Sequence, residues 1–316
     1  MSCLLQALAA ATVAALLALP AYADRFSFMA LGDTPYTLPR DDSAFQRLIS
    51  RTNQLRPAFT VHLGDIKSGD THCTDAVFSR ALELFSQFDQ PLVYTPGDNE
   101  WTDCSRLLAG RYDPLERLSA LRKRFFSGPA SLGQAPLKLT RQSDDAAAPQ
   151  YPEHMRWQHD GIMFIALNFP GGNNNTGMPQ ESAERTAAAL AWMRQGFAQA
   201  RAQKAPGIVV LMQANPFLRS GNARHGYESL LAALAQETAG YSGEVLLGHG
   251  DTHIHRIDQS AFLTTLQVDL SDIASHDSLA AKTDTSQKHF HLLWRRVLRF
   301  IKNDEGMIQR ATTHVG

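Results

Sequence analysis

The sequence has few cysteines, almost no net charge and a single long apolar run, and each scarcity excludes a class of protein. Thirty Lys and Arg against 31 Asp and Glu leave a formal charge of -1, so no whole-chain field attracts nucleic acid or an anionic membrane. Three cysteines in 316 residues cannot form a disulfide-rich miniprotein. The P-loop, the dinucleotide fingerprint and the Gly-x-Ser-x-Gly elbow are missing as well, which excludes the common NTPase, dehydrogenase and serine-hydrolase classes.

The long apolar run lies at the N-terminus and has the features of a signal peptide. Residues 1–23 contain no charged side chain, and Ala21-Tyr22-Ala23 forms a small-residue cleavage site before Asp24. Because the run from Ala7 to Ala18 is short for a bilayer span, we expect a periplasmic or secreted protein, with a retained anchor as the alternative. The rest of the chain has no linker or internal repeat, so we expect one domain without stable membrane insertion.

Two cysteines remain once the signal is removed. Cys3 would leave with the signal, whereas Cys73 and Cys104 both lie in polar loop sequence. In an oxidising compartment a disulfide bond between them would stabilise the fold by about 3 kcal/mol. The alternative is a pair of free thiols.

Short apolar runs alternate with amphipathic segments along the chain. The apolar runs predict buried strands at 25–31, 59–63, 91–95, 162–169, 207–212 and 244–247. Apolar residues spaced near 3.6 predict helices at 41–54, 74–88, 113–126, 182–203 and 227–239. The alternation predicts an α/β fold whose ligand site lies in the loops at the carboxyl ends of the strands.

The strongest signal lies where the predicted strands end. Three successive strands end in Gly-Asp, at Asp33, Asp65 and Asp98, and a later strand runs into Gly-His-Gly-Asp-Thr-His at 248–253. Glycine permits a sharp turn, after which the carboxylate projects over the sheet edge. Carboxylates gathered there repel one another unless a cation lies between them, so the pattern predicts a divalent metal site. Helix capping by each Asp is the alternative, and it explains one such turn better than three.

In their order along 25–258, these motifs resemble those of the calcineurin-like metallophosphoesterases. The resemblance implies a four-layer αββα sandwich for residues 24–258, with 259–316 as a divergent C-terminal extension of the same domain. It also implies hydrolysis of a small phosphorylated substrate, an ester or an anhydride, by a hydroxide that bridges two divalent metal ions. By position, the implied metal ligands are Asp33, Asp65, Asp98, Gln213, Asp251 and His253. Asp65 would bridge the two ions.

The sequence departs from the family pattern by losing histidines. Pro35, Asn99, Gln213 and Asp251 stand where the resemblance calls for histidine. Oxygen donors therefore dominate the implied site, which favours manganese or magnesium over zinc, with calcium and iron as further candidates. A second alignment of the last motif begins at Gly248 and matches His249 to its first histidine. His249 is therefore an adjacent candidate for a residue of the site.

The lost histidines also change the chemistry that we expect. Asn99 can hydrogen-bond a phosphate oxygen but cannot act as an acid, so either His249 protonates the leaving group or the enzyme uses activated substrates such as aryl phosphates. Lys67 is a candidate for phosphate binding, with a solvated loop lysine as the alternative. The polar cluster 168–175 is either pocket lining or a surface loop. The competing function is a noncatalytic metal- or phospholigand-binding protein on the same scaffold.

The pattern weakens after Asp258. Only 262–268 predicts a further strand. A basic amphipathic helix is predicted from the spacing of Leu293, Trp294, Val297, Leu298 and Ile301. We expect this helix to dock on its own domain, with a membrane surface as the alternative.

Overall fold

The structure is a computed structural model that describes residues 26–217 and 226–253, together with the strands at 256–259, 264–267, 298–302 and 308–310. The predicted signal peptide, residues 1–23 with Cys3, lies outside the described residues. No helix within the described part of the chain is long and apolar enough to cross a membrane.

The strands form two sheets. In chain order they are β1 Phe26–Leu31, β2 Thr60–His62, β3 Leu92–Tyr94, β4 Thr140–Arg141, β5 Met155–His159, β6 Ile162–Ala166, β7 Gly207–Leu211, β8 Glu244–His249, β9 Arg256–Gln259, β10 Thr264–Gln267, β11 Leu298–Lys302 and β12 Ile308–Arg310. One sheet has the order β12-β11-β1-β2-β3 and the other the order β4-β5-β6-β7-β8-β10-β9. Strands β1 to β3 run parallel, as do β6 to β8. In each sheet the loops that leave these strands therefore meet at one edge.

The helices agree with the predicted periodicity. They are α1 Asp42–Leu55, α2 Asp75–Phe85, α3 Pro114–Phe125, α4 Pro179–Ala202 and α5 Glu228–Ala239, with short turns of helix at Thr102–Ser105, Gln142–Asp144 and Gly171–Asn174. Thr74 caps α2 and Asp113 caps α3, because the side-chain oxygen of each accepts a hydrogen bond from the first turn. Helix α4 begins at Pro179 rather than Ser182, since proline is well suited to the first helical turn.

Apolar residues fill the three interfaces between four layers. Phe28 and Phe59 of the five-stranded side pack on Phe164 of β6, with ring centroids 5.4 and 5.0 Å apart, in the core between the sheets. On the outer face of the five-stranded sheet, His62 contacts the ring of Phe45 in α1. Alternate residues of β6 turn away from the sheet interface toward a second core beneath α4 and α5. The architecture is the predicted αββα sandwich.

The C-terminal region differs from the prediction. Leu298 and Ile301 lie in β11, which pairs antiparallel with β1, and so do not belong to an amphipathic helix. The helix was inferred from side-chain spacing alone, whereas the open edge of β1 offers backbone hydrogen-bonding groups that a strand satisfies. Residues 293–297 lie outside the described residues. The strand predicted at 262–268 is confirmed as β10, which pairs with β8.

Candidate metal centre

The predicted acidic residues lie together at the carboxyl ends of the parallel strands. Asp33, Asp65 and Asp98 follow β1, β2 and β3 and are only 0%, 2% and 6% exposed. Asp33 and Asp65 have φ values of 56° and 59°, and Asp251, which follows β8, has a φ of 80°. Residues other than glycine rarely adopt this left-handed conformation, and those that do cluster at functional sites.

Glycine at two of these turns allows neighbouring loops to approach one another. Gly64 has a φ of 83°, and a Cβ atom on it would lie 2.4 Å from the backbone nitrogen of Gly97. A Cβ atom on Gly97 would lie 2.0 Å from the Asp65 Oδ1 atom. A larger residue at either position would therefore separate the second and third Gly-Asp turns.

Glu100, which the sequence analysis did not single out, joins the same two turns. Its fully buried carboxylate accepts hydrogen bonds from the Asp65 and Gly97 backbone nitrogens at 3.1 and 2.7 Å and from the Tyr94 hydroxyl at 2.7 Å. Burial raises the pKa of Glu100, and these donors oppose part of the increase. The sequence signal for Glu100 is its position directly after Gly-Asp-Asn.

Gln213 lies between two of the acids. Its Nε2 atom donates to Asp65 Oδ2 at 3.2 Å and to Asp98 Oδ1 at 3.0 Å, while its Oε1 atom accepts from the Gly171 backbone nitrogen at 2.6 Å. Gly171 also packs on the acids, because a Cβ atom there would lie 2.6 Å from Asp98 Oδ2 and 2.7 Å from Asp251 Oδ1. The 168–175 segment therefore lines the site at Gly171.

Tyr36 lies between Asp33 and His253 on the other side of the site. The Nε2 atom of His253 is 3.6 Å from Asp33 Oδ1, and the Tyr36 hydroxyl donates to the same oxygen at 3.3 Å while also contacting His253 Nε2. The Asp251 backbone nitrogen donates to Asp33 Oδ2 at 3.3 Å. The His253 side chain is 44% exposed, so this part of the site is open to solvent.

The acids are close enough to oppose one another's ionisation. Burial, followed by the charges of Asp251 and Glu100, raises the pKa of Asp98 to about 7. Burial and the charge of Asp98 raise the pKa of Asp65 well above its usual value. Burial also raises the pKa of Asp251 to about 6, with Asp103 adding to the increase. Such a cluster favours a cation that neutralises it.

The chemistry of this donor set fits a divalent cation, although the present arrangement does not enclose one. Among the described residues, no three Asp, Glu, His or Cys side chains surround a single point closely enough to hold a metal ion. Neutral groups occupy the gaps instead: the Tyr36 hydroxyl beside Asp33 and the Gln213 amide between Asp65 and Asp98. Buried carboxylate oxygens are the ligands that hard divalent cations prefer, so binding would require these two side chains to move.

Several solved structures that are similar to this chain are phosphatases or a nucleotidase. A dimetal phosphatase from Danio rerio aligns with a TM-score of 0.51 and 11% sequence identity, over 78% of this chain and 88% of that chain. The chain has the calcineurin-like metallophosphoesterase fold. A purple acid phosphatase from yellow lupin has a TM-score of 0.47, 11% identity and coverage of 80% and 45%. A putative 5'-nucleotidase from Staphylococcus aureus has a TM-score of 0.46, 10% identity and coverage of 92% and 53%. No protein-family model and no curated protein matches the chain.

On this metallophosphoesterase fold, the predicted disulfide bond supports the loop that carries Asn99. Cys73 and Cys104 are joined, as predicted, and both sulfur atoms lie 3.7 Å from the Asn99 carbonyl oxygen. The Asn99 backbone nitrogen donates to Asp65 Oδ1 at 3.3 Å. These contacts hold Asn99 beside the acids, and its predicted role with substrate stays a prediction.

Lys67 is buried, so the alternative of a solvated loop lysine is wrong. It is 0% exposed, and its Nζ atom donates to the carbonyl oxygens of Ser68 at 2.8 Å and Asn99 at 2.5 Å. Burial lowers the pKa of Lys67 to about 8, although the nearby charges of Glu100 and Asp65 oppose the decrease. The ammonium group lies near the acids and is bonded to backbone carbonyl oxygens, and phosphate binding by Lys67 stays a prediction.

His249 and an unpredicted ion pair complete the surroundings. His249 is 2% exposed, with its ring centroid 5.9 Å from that of Phe217. Asp103 forms an ion pair with Arg106 at 2.5 Å, and burial raises the pKa of Asp103 to about 6. The Arg106 side chain is 53% exposed. A Cβ atom on Gly69 would lie 2.8 Å from Arg106 Nη1 and 3.0 Å from the Asn99 side-chain oxygen. Both side chains therefore lie against Gly69, and the Arg106 guanidinium group is at the rim of the site.

Proposed function

We propose that this chain is an exported, metal-dependent phosphoester hydrolase. The main support is that the buried carboxylates of Asp33, Asp65 and Asp98 converge with the partly exposed carboxylate of Asp251 at the loop edge of a metallophosphoesterase fold. Export is supported by the Cys73–Cys104 disulfide bond, because such bonds persist in oxidising compartments.

The predicted ligands divide into two overlapping sets. Asp33, Asp65 and His253 would hold the first cation, and Asp65 with Asp98 and Asp251 would hold the second. Gln213 was predicted as a further ligand, but its Oε1 atom accepts from the Gly171 backbone nitrogen, so it could bind an ion only by turning away from Gly171. Two bound divalent ions, manganese or magnesium for this oxygen-rich set, would supply a water of lowered pKa and positive charge for the phosphate oxygens.

The side chains of the chain itself would orient the substrate. The Asn99 amide can donate a hydrogen bond to a nonbridging phosphate oxygen, and the exposed Arg106 guanidinium beside it adds positive charge at the rim. The Asn99 amide is not acidic enough to protonate the leaving group, and His249 is almost fully buried. The site therefore fits small substrates with good leaving groups, such as aryl phosphates and phosphoanhydrides.

Hydrolysis of 4-nitrophenyl phosphate with added Mn²⁺ tests the proposal. Asp65→Asn removes the carboxylate shared by both ligand sets, and we expect kcat/KM to fall at least about 100-fold, since even residues that only support metal ligands contribute up to that factor. Asp89→Asn is the matched control, because Asp89 is exposed, and it should leave the rate unchanged.

Two other results would change the proposal. Mn²⁺ binding without hydrolysis of any activated phosphate would favour the noncatalytic binding protein. Equal rates for an alkyl and an aryl phosphomonoester would contradict the preference for good leaving groups, because that preference follows from the lack of an acid at Asn99.

A further inference from the structure

Gln213 is held in one orientation. The Gly171 backbone N–H donates to Gln213 Oε1 at 2.6 Å, and an N–H group cannot donate to the amide NH₂, which has no acceptor to offer. The NH₂ end must therefore face the acids, as observed in the hydrogen bonds to Asp65 and Asp98 at 3.2 and 3.0 Å. The side chain is fully buried, so it cannot turn into solvent without breaking these bonds.

This orientation conflicts with a cation at the same two oxygens. Divalent ions lie about 2.0–2.6 Å from carboxylate oxygens, so an ion bound to Asp65 Oδ2 and Asp98 Oδ1 would occupy the space of the Gln213 Nε2 atom, which bonds both of them. The amide nitrogen cannot become a ligand, because its lone pair is delocalised and its hydrogens point at the acids.

On the Asp33 side, the described side chain that bonds the acid is easier to displace than Gln213. Tyr36, which bonds Asp33 and contacts His253, is partly exposed, and its hydroxyl oxygen has lone pairs that can face a cation. A rotation of this side chain or of its hydroxyl hydrogen exposes Asp33 Oδ1, whereas exposure of the Asp65 and Asp98 oxygens requires a buried amide to leave its hydrogen bonds.

We infer that Gln213 competes with the second metal ion, so that the two positions have unequal affinities. The position at Asp33 and His253 fills first, and the position at Asp65 and Asp98 fills only when the Gln213 amide is displaced. This inference rests on the proposed function, since it concerns the same metal centre.

Mn²⁺ titration of the chelator-treated, full-length protein tests the inference without any measurement of activity. Calorimetry gives the two dissociation constants, and the electron paramagnetic resonance signal of free Mn²⁺ gives the stoichiometry. For the wild type we expect the first ion to bind at least about tenfold more tightly than the second, because charge-assisted hydrogen bonds must be given up for the second. Gln213→Ala removes the competitor and should tighten the second site about tenfold while leaving the first unchanged.

Control variants separate this effect from a general loss of structure. Gln142→Ala removes another buried glutamine, whose amide nitrogen donates to the Ala188 carbonyl oxygen away from the acids, and should change neither constant. Gln213→Glu keeps the shape and the acceptor for Gly171 but replaces the NH₂ group with an oxygen, so it should also tighten the second site, and it serves if Gln213→Ala does not fold.

The outcomes distinguish the two proposals. Two equal constants in the wild type, or a second constant that neither Gln213 variant changes, would overturn the inference and leave the proposed function standing. A wild-type protein that binds no Mn²⁺ would overturn the proposed function itself.

Discussion

The two sheets contribute different chemistry to one site. The five-stranded sheet supplies the acids Asp33, Asp65 and Asp98 from the ends of three neighbouring strands. The seven-stranded sheet supplies mainly neutral groups, the Gly171 backbone and the Gln213 amide, along with Asp251. The five-stranded sheet thus concentrates negative charge, and the Gln213 amide of the seven-stranded sheet donates hydrogen bonds to these acids from across the sheet interface. The site forms only where the two sheets pack together.

The largest effect is expected from removing Glu100, whose buried carboxylate organises the acidic loops. Glu100→Ala would leave the Asp65 and Gly97 nitrogens and the Tyr94 hydroxyl without their buried acceptor. We expect the free energy of unfolding to fall by about 3 kcal/mol or more, as measured by urea denaturation. Glu83→Ala, at a carboxylate whose side chain is 62% exposed, should cost no more than about 0.5 kcal/mol. Equal losses would show that Glu100 does not organise the acidic loops.

Repulsion among the acids predicts a dependence of stability on pH in the metal-free protein. The pKa of Asp98 is about 7 in the folded chain against an ordinary value of 3.8, so between these values the folded state retains a proton that the unfolded state loses. Stability therefore falls as the pH rises from about 4 to about 7. Asp98→Asn cannot ionise, and we expect it to gain about 2 kcal/mol relative to the wild type at pH 8 but little at pH 4.

Urea denaturation of the chelator-treated proteins at both pH values measures this difference. Subtracting the wild type from the variant cancels the contributions of buried histidines such as His62, whose pKa is lowered to about 4 by burial. A gain of the same size at both pH values would mean that the folded protein does not raise the pKa of Asp98.

The smallest expected effect tests the contact between the two sides. A Cβ atom on Gly171 would lie 2.6 Å from Asp98 Oδ2 and 2.7 Å from Asp251 Oδ1, so Gly171→Ala must push the loop or the acids apart. We expect a loss of about 1 kcal/mol in the free energy of unfolding. Gly177→Ala, where an added Cβ atom meets nothing within 4 Å, should be neutral, and equal thermal shifts for the two variants would argue against close packing at Gly171.

Much of the fold followed from local pattern, and each exception has a physical cause. Strands β1, β2 and β3 and all the labelled helices appear where apolar spacing predicts them. Strand β11 was taken for a helix, because its pairing with β1 depends on a sheet edge more than 260 residues away in sequence, near Phe26. Strand β5 was missed, since only Met155 and Trp157 of its five residues are apolar and the segment therefore forms no apolar run.

The site was predictable to a similar degree. Asp33, Asp65 and Asp98 converge because the Gly-Asp pattern places them at the ends of adjacent parallel strands. Tyr36 and Arg106 were not predicted, because a single tyrosine or arginine in a loop carries no periodicity, and only the contacts with His253 and beside Gly69 show that these residues border the site.

The α/β class, the three Gly-Asp turns and the cysteine pair could be predicted from the amino-acid order, because each depends on local periodicity, on backbone freedom at glycine or on simple residue counting. The orientation of the Gln213 NH₂ group toward the acids and the burial of Lys67 became visible only in the folded chain. Both facts depend on which hydrogen-bonding groups meet when separate loops pack, and a buried polar group takes the orientation that satisfies its partners.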